Sequence, residues 1–250
     1  CSEAVVGDLD GQGSCAAYAR ALAAVCEARL GVRFELGAAV EALVVDGGGV
    51  RGLLTRDGRR FDADAVVLCA GAASTAVAAS AGLYVPVQPL RGYSLTAPLR
   101  PAAETVRHHV VALPFSLYVT RLADSLRFTS YGELSPVCAD GTGPPTVELI
   151  ERLHALVEYA LPGVDELCEW SAAVPWCGAR PLTPDSHPIV GATRVPSLYV
   201  NLGHGFNGWR EAMHTAQVLA ARVEGTCPPG SEWVGVYSIT RFQPLPQPVH

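Results

Sequence analysis

The feature that most constrains this chain is a glycine motif in its last quarter. Gly203, Gly205 and Gly208 spell G-x-G-x-x-G. The motif follows an apolar run, residues 197–202, that is typical of a strand, and it precedes an amphipathic run, residues 209–224, that is typical of a helix. A strand, a glycine turn and a helix in this order are the local setting of a dinucleotide-binding fingerprint.

The other parts of a dinucleotide-binding unit do not follow this motif. Such a unit needs a further strand, and an acidic residue roughly 20 positions on that binds the ribose. Glu224 is the acidic residue nearest that distance, and it lies on the predicted helix. The motif therefore predicts a helix N-terminus that holds an anionic or electron-rich group. It does not predict the first unit of a nucleotide-binding domain.

The remaining segments predict an α/β chain with a sheet inserted into a split domain. Ser14 and Gly31 fit the N-cap and the C-cap of a helix over residues 14–30. Further predicted elements are a strand at 32–36, a hairpin at 39–55, strands at 64–69, 87–96, 105–113, 116–120 and 125–130, a helix at 146–161, a strand at 170–175, a loop at 178–188 and a Pro-rich tail at 244–248. Turns with Pro or Asp/Ser separate the strands after residue 85, as in a mixed or antiparallel sheet.

Composition excludes several classes of function. A net charge of −6 argues against nucleic acid as a partner, and no apolar segment approaches the ~20 residues of a transmembrane span. The eight cysteines form no C-x-x-C pair and no cluster with histidine, so they indicate reduced thiols in an intracellular protein, cytoplasmic or mitochondrial, and no metal site. The sole methionine is Met213, so we expect the chain to be a fragment, a processed product or the result of a wrongly assigned reading frame.

Arg180 is the sharpest candidate for ligand binding. It precedes Pro181 in a predicted loop and fits a fork that binds a carboxylate through two hydrogen bonds. An exposed loop arginine is an equally good interpretation. Asp185 fits a partner of that arginine, a turn residue or a ligand contact.

Four further residues have both a functional and a structural interpretation. His204 fits an acid or base, a cofactor contact, or a structural histidine with satisfied hydrogen bonds. Tyr93, Tyr118 and Tyr131 lie on predicted strands, where aromatic side chains line a pocket or, more often, fill the core.

A second glycine pattern precedes the first predicted helix. Residues 11–16 read G-x-G-x-x-A, but Asp8 and Asp10 would place two carboxylates beside a pyrophosphate at that point. A loop with a helix cap is the better interpretation.

Several segments, taken in order, resemble one family: the FAD-dependent amino-acid oxidoreductases related to D-amino acid oxidase, glycine oxidase and D-amino acid dehydrogenase. The matching segments are residues 64–71, 86–96, 178–185, 188–191 and 201–209, with Tyr237, Ser238, Arg241 and Phe242 after them. They cover most of the chain, and their common order is more specific than any one motif.

The resemblance implies a role for most of these segments. The main chain around Val40 is expected to contact the adenine of FAD, and the turn at Ala70 and Gly71 to pack against its pyrophosphate and ribose. The helix N-terminus after the glycine motif is expected to face the N1–C2=O edge of the flavin, through Gly203, Gly205, Phe206, Asn207, Gly208 and Trp209. Arg180 is implied as the clamp on the substrate carboxylate. Tyr93, Tyr131 and His204 are implied as further residues of the substrate pocket.

The implied fold is a partial, Rossmann-like FAD-binding domain that lacks its first strand–helix unit. Its first part is expected over residues 1–84 and its closing part over 176–225, with a mixed or antiparallel substrate-domain sheet inserted at 85–175 and a tail at 226–250. Members of the family begin with a glycine fingerprint that this sequence does not contain.

The implied function is oxidation of the CH–NH2 group of a D-amino acid or a similar small amino acid by hydride transfer to FAD. Oxygen and a quinone chain both remain open as the electron acceptor. The alternative is a non-catalytic remnant of such an enzyme that cannot retain FAD. A module that binds NAD through Gly203 is disfavoured, because no second half-domain follows.

Overall fold

The structure is a computed structural model that describes residues 11–101, 109–134, 144–226 and 234–242. Its helices are α1 (Cys15–Leu30), α2 (Ser74–Ala79), α3 (Val147–Ala160), α4 (Val164–Leu167), α5 (Gly208–Val223) and α6 (Val234–Tyr237). Its strands are β1 (Val40–Asp46), β2 (Gly49–Thr55), β3 (Arg60–Asp62), β4 (Val66–Leu68), β5 (Gln88–Pro98), β6 (Val110–Ala112), β7 (Leu117–Leu122), β8 (Ser125–Glu133), β9 (Val174–Leu182), β10 (Ile189–Ala192) and β11 (Leu198–Leu202).

The strands of the described residues form three sheets. Strands β1, β2 and β3 make an antiparallel meander in that order. In the second sheet, of order β10-β11-β4, β11 pairs in parallel with β4 and antiparallel with β10. The third sheet has the order β6-β7-β8-β5-β9, so β9 is one of its edge strands. The described residues therefore have a mixed α/β fold, as predicted.

The described residues group into two compact units. One unit comprises residues 11–34, the described part of Gly92–Gly132 and Pro144–Cys177. Its core packs apolar residues of the five-stranded sheet, such as Tyr93, Leu117 and Phe128, with Leu153 and Val157 of α3. Those two helix positions are four apart and therefore share one face of α3. Helix α1 is grouped with this unit although none of its residues is buried.

The other unit comprises the described residues of Glu35–Arg91, Glu133–Gly143 and Gly178–His250. Its core includes Val50 of β2, Val77 of α2 and Val200 of β11. Strands β5 and β9 each begin in one unit and end in the other. In β5 the boundary between the units lies between Arg91 and Gly92, and in β9 it lies between Cys177 and Gly178. The expected assignment of FAD-binding and substrate domains stays a prediction.

Most predicted elements are present. Ser14 caps α1 by accepting a hydrogen bond from the Ala17 amide at 3.3 Å, and Gly31 ends the helix in a left-handed conformation, with φ of 68°. This confirms that the second glycine pattern leads into a helix cap. The hairpin, the strand before Ala70 and the helices at 146–161 and 209–224 are confirmed with ends shifted by one or two residues.

Three predicted elements are wrong. Residues 32–36 are not a strand, and Val32, Phe34 and Leu36 are exposed. The segment at 170–175 begins with a 3-10 turn, Trp170–Ala172, and its strand starts only at Val174. That strand continues to Leu182, through the first part of the predicted loop at 178–188. The loop was predicted partly because of Pro181. Proline is excluded from central strands but tolerated on an edge strand such as β9.

Two other predictions are settled only in part. In the predicted strand at 105–113, residues 110–112 form β6, and residues before 109 lie outside the described residues. The Pro-rich tail at 244–248 also lies outside them. The cysteines of the described residues are free thiols, and Cys168 and Cys177 are the buried ones. Within the described ranges, no helix has the length and apolar character needed to cross a bilayer.

Candidate functional site

Arg180 lies near the end of β9, two residues before the strand ends at Leu182. Its side chain is half-buried, and its guanidinium carbon lies 5.2 Å from the centroid of the Phe206 ring. This distance is within the range of a cation–π interaction. The glycine motif and the predicted carboxylate clamp, which are more than 20 positions apart in sequence, are therefore neighbours in the fold.

The glycine motif is docked onto the end of β9. The Gly205 amide donates a hydrogen bond of 3.0 Å to the Pro181 carbonyl, and His204 forms a β-bridge with Leu182. A Cβ atom on Gly203 would lie 2.6 Å from Cγ2 of Thr183. A Cβ on Gly205 would lie 2.9 Å from Cδ2 of Leu182.

Both glycines also adopt left-handed backbone conformations, with φ of 78° at Gly203 and 53° at Gly205. The motif therefore needs these two glycines for contact with the protein's own strand. A ligand site at this motif has to rest on the helix that follows it.

The N-terminus of α5 fits a negatively charged or electron-rich group. Asn207 is its N-cap residue, but its side chain makes no capping hydrogen bond. The side-chain oxygen of Asn207 instead accepts a hydrogen bond from Arg210. Because the N-terminus of a helix carries partial positive charge, an uncapped first turn attracts an anion. Phe206 and Trp209, on either side of Asn207, are exposed.

His204 has a defined hydrogen-bond partner. Its Nε2 lies 3.0 Å from Oγ1 of Thr215, and that hydroxyl lies 3.1 Å from the Glu211 carbonyl and 3.2 Å from the Ala212 carbonyl. Which of the two groups donates in the hydrogen bond between His204 and Thr215 depends on the tautomer of the imidazole. Burial lowers the pKa of His204, against a smaller opposing effect of the Glu211 charge. The histidine is thus held neutral, which favours its structural interpretation.

Asp185 pairs with Arg241. Nε of Arg241 donates a hydrogen bond of 2.7 Å to Oδ2 of Asp185, and its Nη2 lies 3.2 Å from Oδ1. The same guanidinium donates to the carbonyls of His187 and Pro188 and, through Nη1, to that of Ser238. The hydrogen bonds from Arg241 to the carboxylate are the largest cause that lowers the pKa of Asp185 to about 2.

The pairing corrects the suggestion that Asp185 is the partner of Arg180. Sequence reasoning noted Arg241 as a match to the family but gave it no role. No local signal could have found this pair, because its members are 56 positions apart.

Two segments expected to contact FAD precede the five-stranded sheet in sequence. One follows the end of a strand, and the other lies on an edge strand. Gly71 follows β4 with φ of 55°, and a Cβ on it would meet no atom within 4 Å. Its side of the turn is therefore open to a ligand in the described structure. Val40 begins β1, which is an edge strand of its sheet. Main-chain groups of an edge strand that point away from the sheet are available for hydrogen bonds.

The tyrosines belong to the other unit and differ in burial. Tyr93 is fully buried in the core, and its hydroxyl lies 3.2 Å from Oγ1 of Thr146. Tyr131 lies at the surface with φ of 60°, and its hydroxyl donates to the Arg152 carbonyl at 3.4 Å. Tyr118 is exposed beside His109. The position of Tyr93 matches its core interpretation. A pocket role for Tyr93 or Tyr131 stays a prediction.

One group of potential metal ligands occurs in the described part of the chain. It consists of His154, Glu158 and Asp165, whose ligand atoms lie within 4.8 Å of one another. His154 and Glu158 are four apart on α3, with Nε2 of the histidine 3.6 Å from Oε1 of the glutamate, and both carboxylates of the group are exposed. Exposed acidic groups are common without a bound ion, so the expectation of no metal site stays a prediction.

Comparisons with known proteins show the family of the chain. A family model described as FAD-dependent oxidoreductase (DAO) matches residues 2–222. The chain is 36% identical over 228 residues to a D-amino acid dehydrogenase of Rhizobium johnstonii, covering 90% of this chain and 52% of the relative. It is 38% identical over 219 residues to one of Cereibacter sphaeroides, covering 88% and 48%. The chain thus spans about half the length of the curated relatives it matches.

A solved structure shows the same fold. Glycine oxidase from Geobacillus kaustophilus superposes with a TM-score of 0.69 at 24% identity, covering 82% of this chain and 52% of that one. At this level of identity the likeness supports the fold alone.

Proposed function

The chain belongs to the DAO family of FAD-dependent oxidoreductases, and from this premise we propose that it supplies the substrate clamp and the flavin-facing helix of an enzyme that oxidises a D-amino acid. The matched relatives named D-amino acid dehydrogenase support the substrate class. The single observation that carries the proposal is Arg180, placed on an edge strand beside the N-terminal loop of α5.

Arg180 supplies the recognition of the substrate carboxylate. A guanidinium offers planar, paired N–H groups that match the two oxygens of a carboxylate and hold it in a fixed orientation. Its guanidinium carbon lies over the Phe206 ring, 5.2 Å from the ring centroid. Orientation of the substrate is the main contribution that a hydride-transfer enzyme makes beyond its cofactor.

The residues of this chain fit contacts along FAD. The uncapped N-terminus of α5, at Asn207 and Gly208, would face the electron-rich edge of the flavin ring, where its partial positive charge is favourable. The open turn at Gly71 and the edge-strand main chain at Val40 would lie along the remainder of the cofactor. FAD, when bound, supplies the acceptor for the hydride of the substrate α-carbon.

His204 contributes by staying neutral and by fixing the glycine loop to α5. The hydrogen bond between its Nε2 and Oγ1 of Thr215 ties the loop before the helix to the second turn of that helix. The lowered pKa means that no imidazolium competes with the helix N-terminus for a negative charge. We assign no acid or base role to this residue.

The alternative is that this chain alone is a non-catalytic remnant. The chain spans about half the length of each matched relative. A half that cannot retain FAD would bind neither cofactor nor substrate productively.

One experiment separates the two functions. The chain is purified alone and as a fusion to the part of the Rhizobium johnstonii relative that it does not match, and the visible absorbance of bound flavin is recorded. We expect flavin in the fusion, bleached on anaerobic addition of D-alanine and not of L-alanine. A folded fusion without flavin contradicts the proposal. A fusion that binds flavin but is not reduced by any D-amino acid supports the remnant.

A further inference from the structure

We propose that Phe206 is the positioning residue for Arg180: its ring holds the guanidinium in the orientation that receives the substrate carboxylate. The inference rests on the proposed role of Arg180 as the carboxylate clamp. It assigns to the Phe206 side chain a function separate from the cofactor contact expected of its loop. The carrying observation is the distance of 5.2 Å between the guanidinium carbon and the ring centroid.

The location of the Phe206 ring is set by its backbone. The side chain is 66% exposed, so burial of the ring does not hold it in place. The residues just before it are held instead: the Gly205 amide bonds to the Pro181 carbonyl, and His204 bridges to Leu182. Pro181 directly follows Arg180. The ring and the guanidinium are therefore carried by two backbone segments that are hydrogen-bonded to each other.

The close approach of these segments depends on residues without side chains. Gly203 and Gly205 contact Thr183 and Leu182 at distances that leave no space for a Cβ atom. On the helix side, His204 is bonded to Thr215 of α5. The loop is thus held on two sides, and Phe206 lies between these attachments and the first residue of α5.

A ring in this position has a physical effect on the arginine. The negative face of an aromatic ring attracts a guanidinium, and stacking restricts the long, flexible arginine side chain. A guanidinium that is already oriented loses less conformational entropy when it binds a carboxylate. At a partly exposed site this interaction corresponds to about a two- to fivefold change in affinity.

The test compares four variants. Phe206→Leu keeps an apolar side chain without the ring, and Phe206→Tyr keeps the ring. Tyr84→Leu is the matched control, because Tyr84 is also an exposed aromatic residue of the same unit, at 69%. Arg180→Ala removes the clamp itself.

The first readout needs no cofactor and uses the 250-residue chain. The Nε–Hε signal of Arg180, assigned by its loss in Arg180→Ala, should carry a ring-current shift. We expect Phe206→Leu to abolish that shift, Phe206→Tyr to retain it and Tyr84→Leu to leave it unchanged. A signal that is the same in Phe206→Leu and in the unmodified chain overturns the inference.

The second readout uses the flavin-loaded fusion with D-alanine. We expect Phe206→Leu to raise KM by about two- to fivefold with kcat little changed, because the contact acts on carboxylate binding. Phe206→Tyr should leave KM close to that of the unsubstituted fusion, because it keeps the ring. In the Arg180→Ala background, Phe206→Leu should have no further effect, as expected for residues that act through one another.

The outcomes distinguish the two proposals. If Arg180→Ala raises KM strongly while Phe206→Leu does not change it, the positioning role is wrong and the clamp stands. If Arg180→Ala leaves KM unchanged, the clamp is wrong, and the role of Phe206 falls with it. A raised KM in Tyr84→Leu equal to that in Phe206→Leu also overturns the inference, since the effect would then not depend on contact with Arg180.

Discussion

At the scale of the residue, Arg241 is the side chain that organises the segment after β9. One guanidinium bonds to the Asp185 carboxylate and to main-chain carbonyls at His187, Pro188 and Ser238. Asp185 also accepts a hydrogen bond from the His187 amide at 3.1 Å. Because these residues follow Arg180 by only a few positions, Arg241 helps to fix the segment that carries the clamp.

We expect Arg241→Ala to lower the free energy of unfolding by about 1–2 kcal/mol at pH 7, which is less than for a fully buried charged hydrogen bond because Asp185 is partly exposed. Urea denaturation measures the change. Arg60→Ala is the control, since Arg60 forms an ion pair of 2.8 Å with Asp62 in which both side chains are exposed. Loss of that pair should cost less than about 1 kcal/mol. Equal effects of the two substitutions would contradict this role of Arg241.

The same pair predicts a pH dependence. The pKa of Asp185 falls from its usual 3.8 to about 2 in the folded protein, so its ionised form is stabilised by folding. The contribution is present above pH 3.8 and is lost as the pH falls toward 2. The difference in stability between the unmodified chain and Arg241→Ala should therefore shrink over this interval. A difference that is constant from pH 7 to pH 2 would show that the ionised carboxylate is not involved.

At the scale of the element, the contact between β9 and the glycine loop before α5 leaves little room for substitution. Gly203 needs a positive φ and also lies where a Cβ would overlap Thr183. Gly225, after the end of α5, needs a similar φ of 70° but has open space around its Cβ position. Alanine substitutions at the two glycines therefore separate the cost of backbone strain from the cost of steric overlap.

We expect Gly225→Ala to destabilise the protein by about 1–2 kcal/mol, the cost of a left-handed conformation. Gly203→Ala should cost about 1–3 kcal/mol more, because overlap in a packed region adds to the strain. Adding Thr183→Ser removes the overlapping methyl group and keeps the hydroxyl that donates to the His187 carbonyl. Thermal or urea denaturation should show that this second substitution recovers much of the extra loss. No recovery would mean that Cγ2 of Thr183 is not the obstacle.

Local patterns predicted those elements whose structure is decided locally. Helices α1, α3 and α5 follow from the spacing of apolar residues and from caps such as Ser14, and the hairpin of β1 and β2 follows from its glycine turn. The extent of β9 was not predictable in this way. Whether a strand with Pro181 continues depends on its place at a sheet edge, which is set by residues far away in sequence.

The sequence predicted which residues belong to the candidate site better than it predicted which of them are in contact. Arg180 and the glycine motif stood out as residue types suited to binding. Their proximity, and the ring of Phe206 between loop and clamp, required the pairing of the loop with β9. The pairing of Asp185 with Arg241 was missed because these residues are also far apart in sequence.

At the scale of the whole molecule, helix α1 stands apart from the other long helices. It has no buried residue, whereas α3 and α5 each bury two. Tyr18, Leu22 and Val25 are exposed at a spacing of four and three, which places them on one face of the helix. That face contributes little to the stability of the described structure.

We therefore expect Leu22→Gln to change the free energy of unfolding by less than about 0.5 kcal/mol in this chain. Leu153→Ala, in the fully buried position of α3, should cost about 2–5 kcal/mol. Differential scanning calorimetry of both variants checks the contrast. A large loss in Leu22→Gln would mean that the exposed face of α1 is covered in solution.

The link between Asp185 and Arg241 also has a consequence for biosynthesis. The ribosome adds Arg241 56 residues after Asp185. At roughly 5–20 residues per second this interval lasts about 3–11 s. Throughout that time the nascent chain already carries Arg180, and the glycine loop is added during it, but the guanidinium that ties down the segment between them is still missing. We therefore expect chaperones and proteases to meet this segment first in an untethered form, until Arg241 has been added and has left the ribosome.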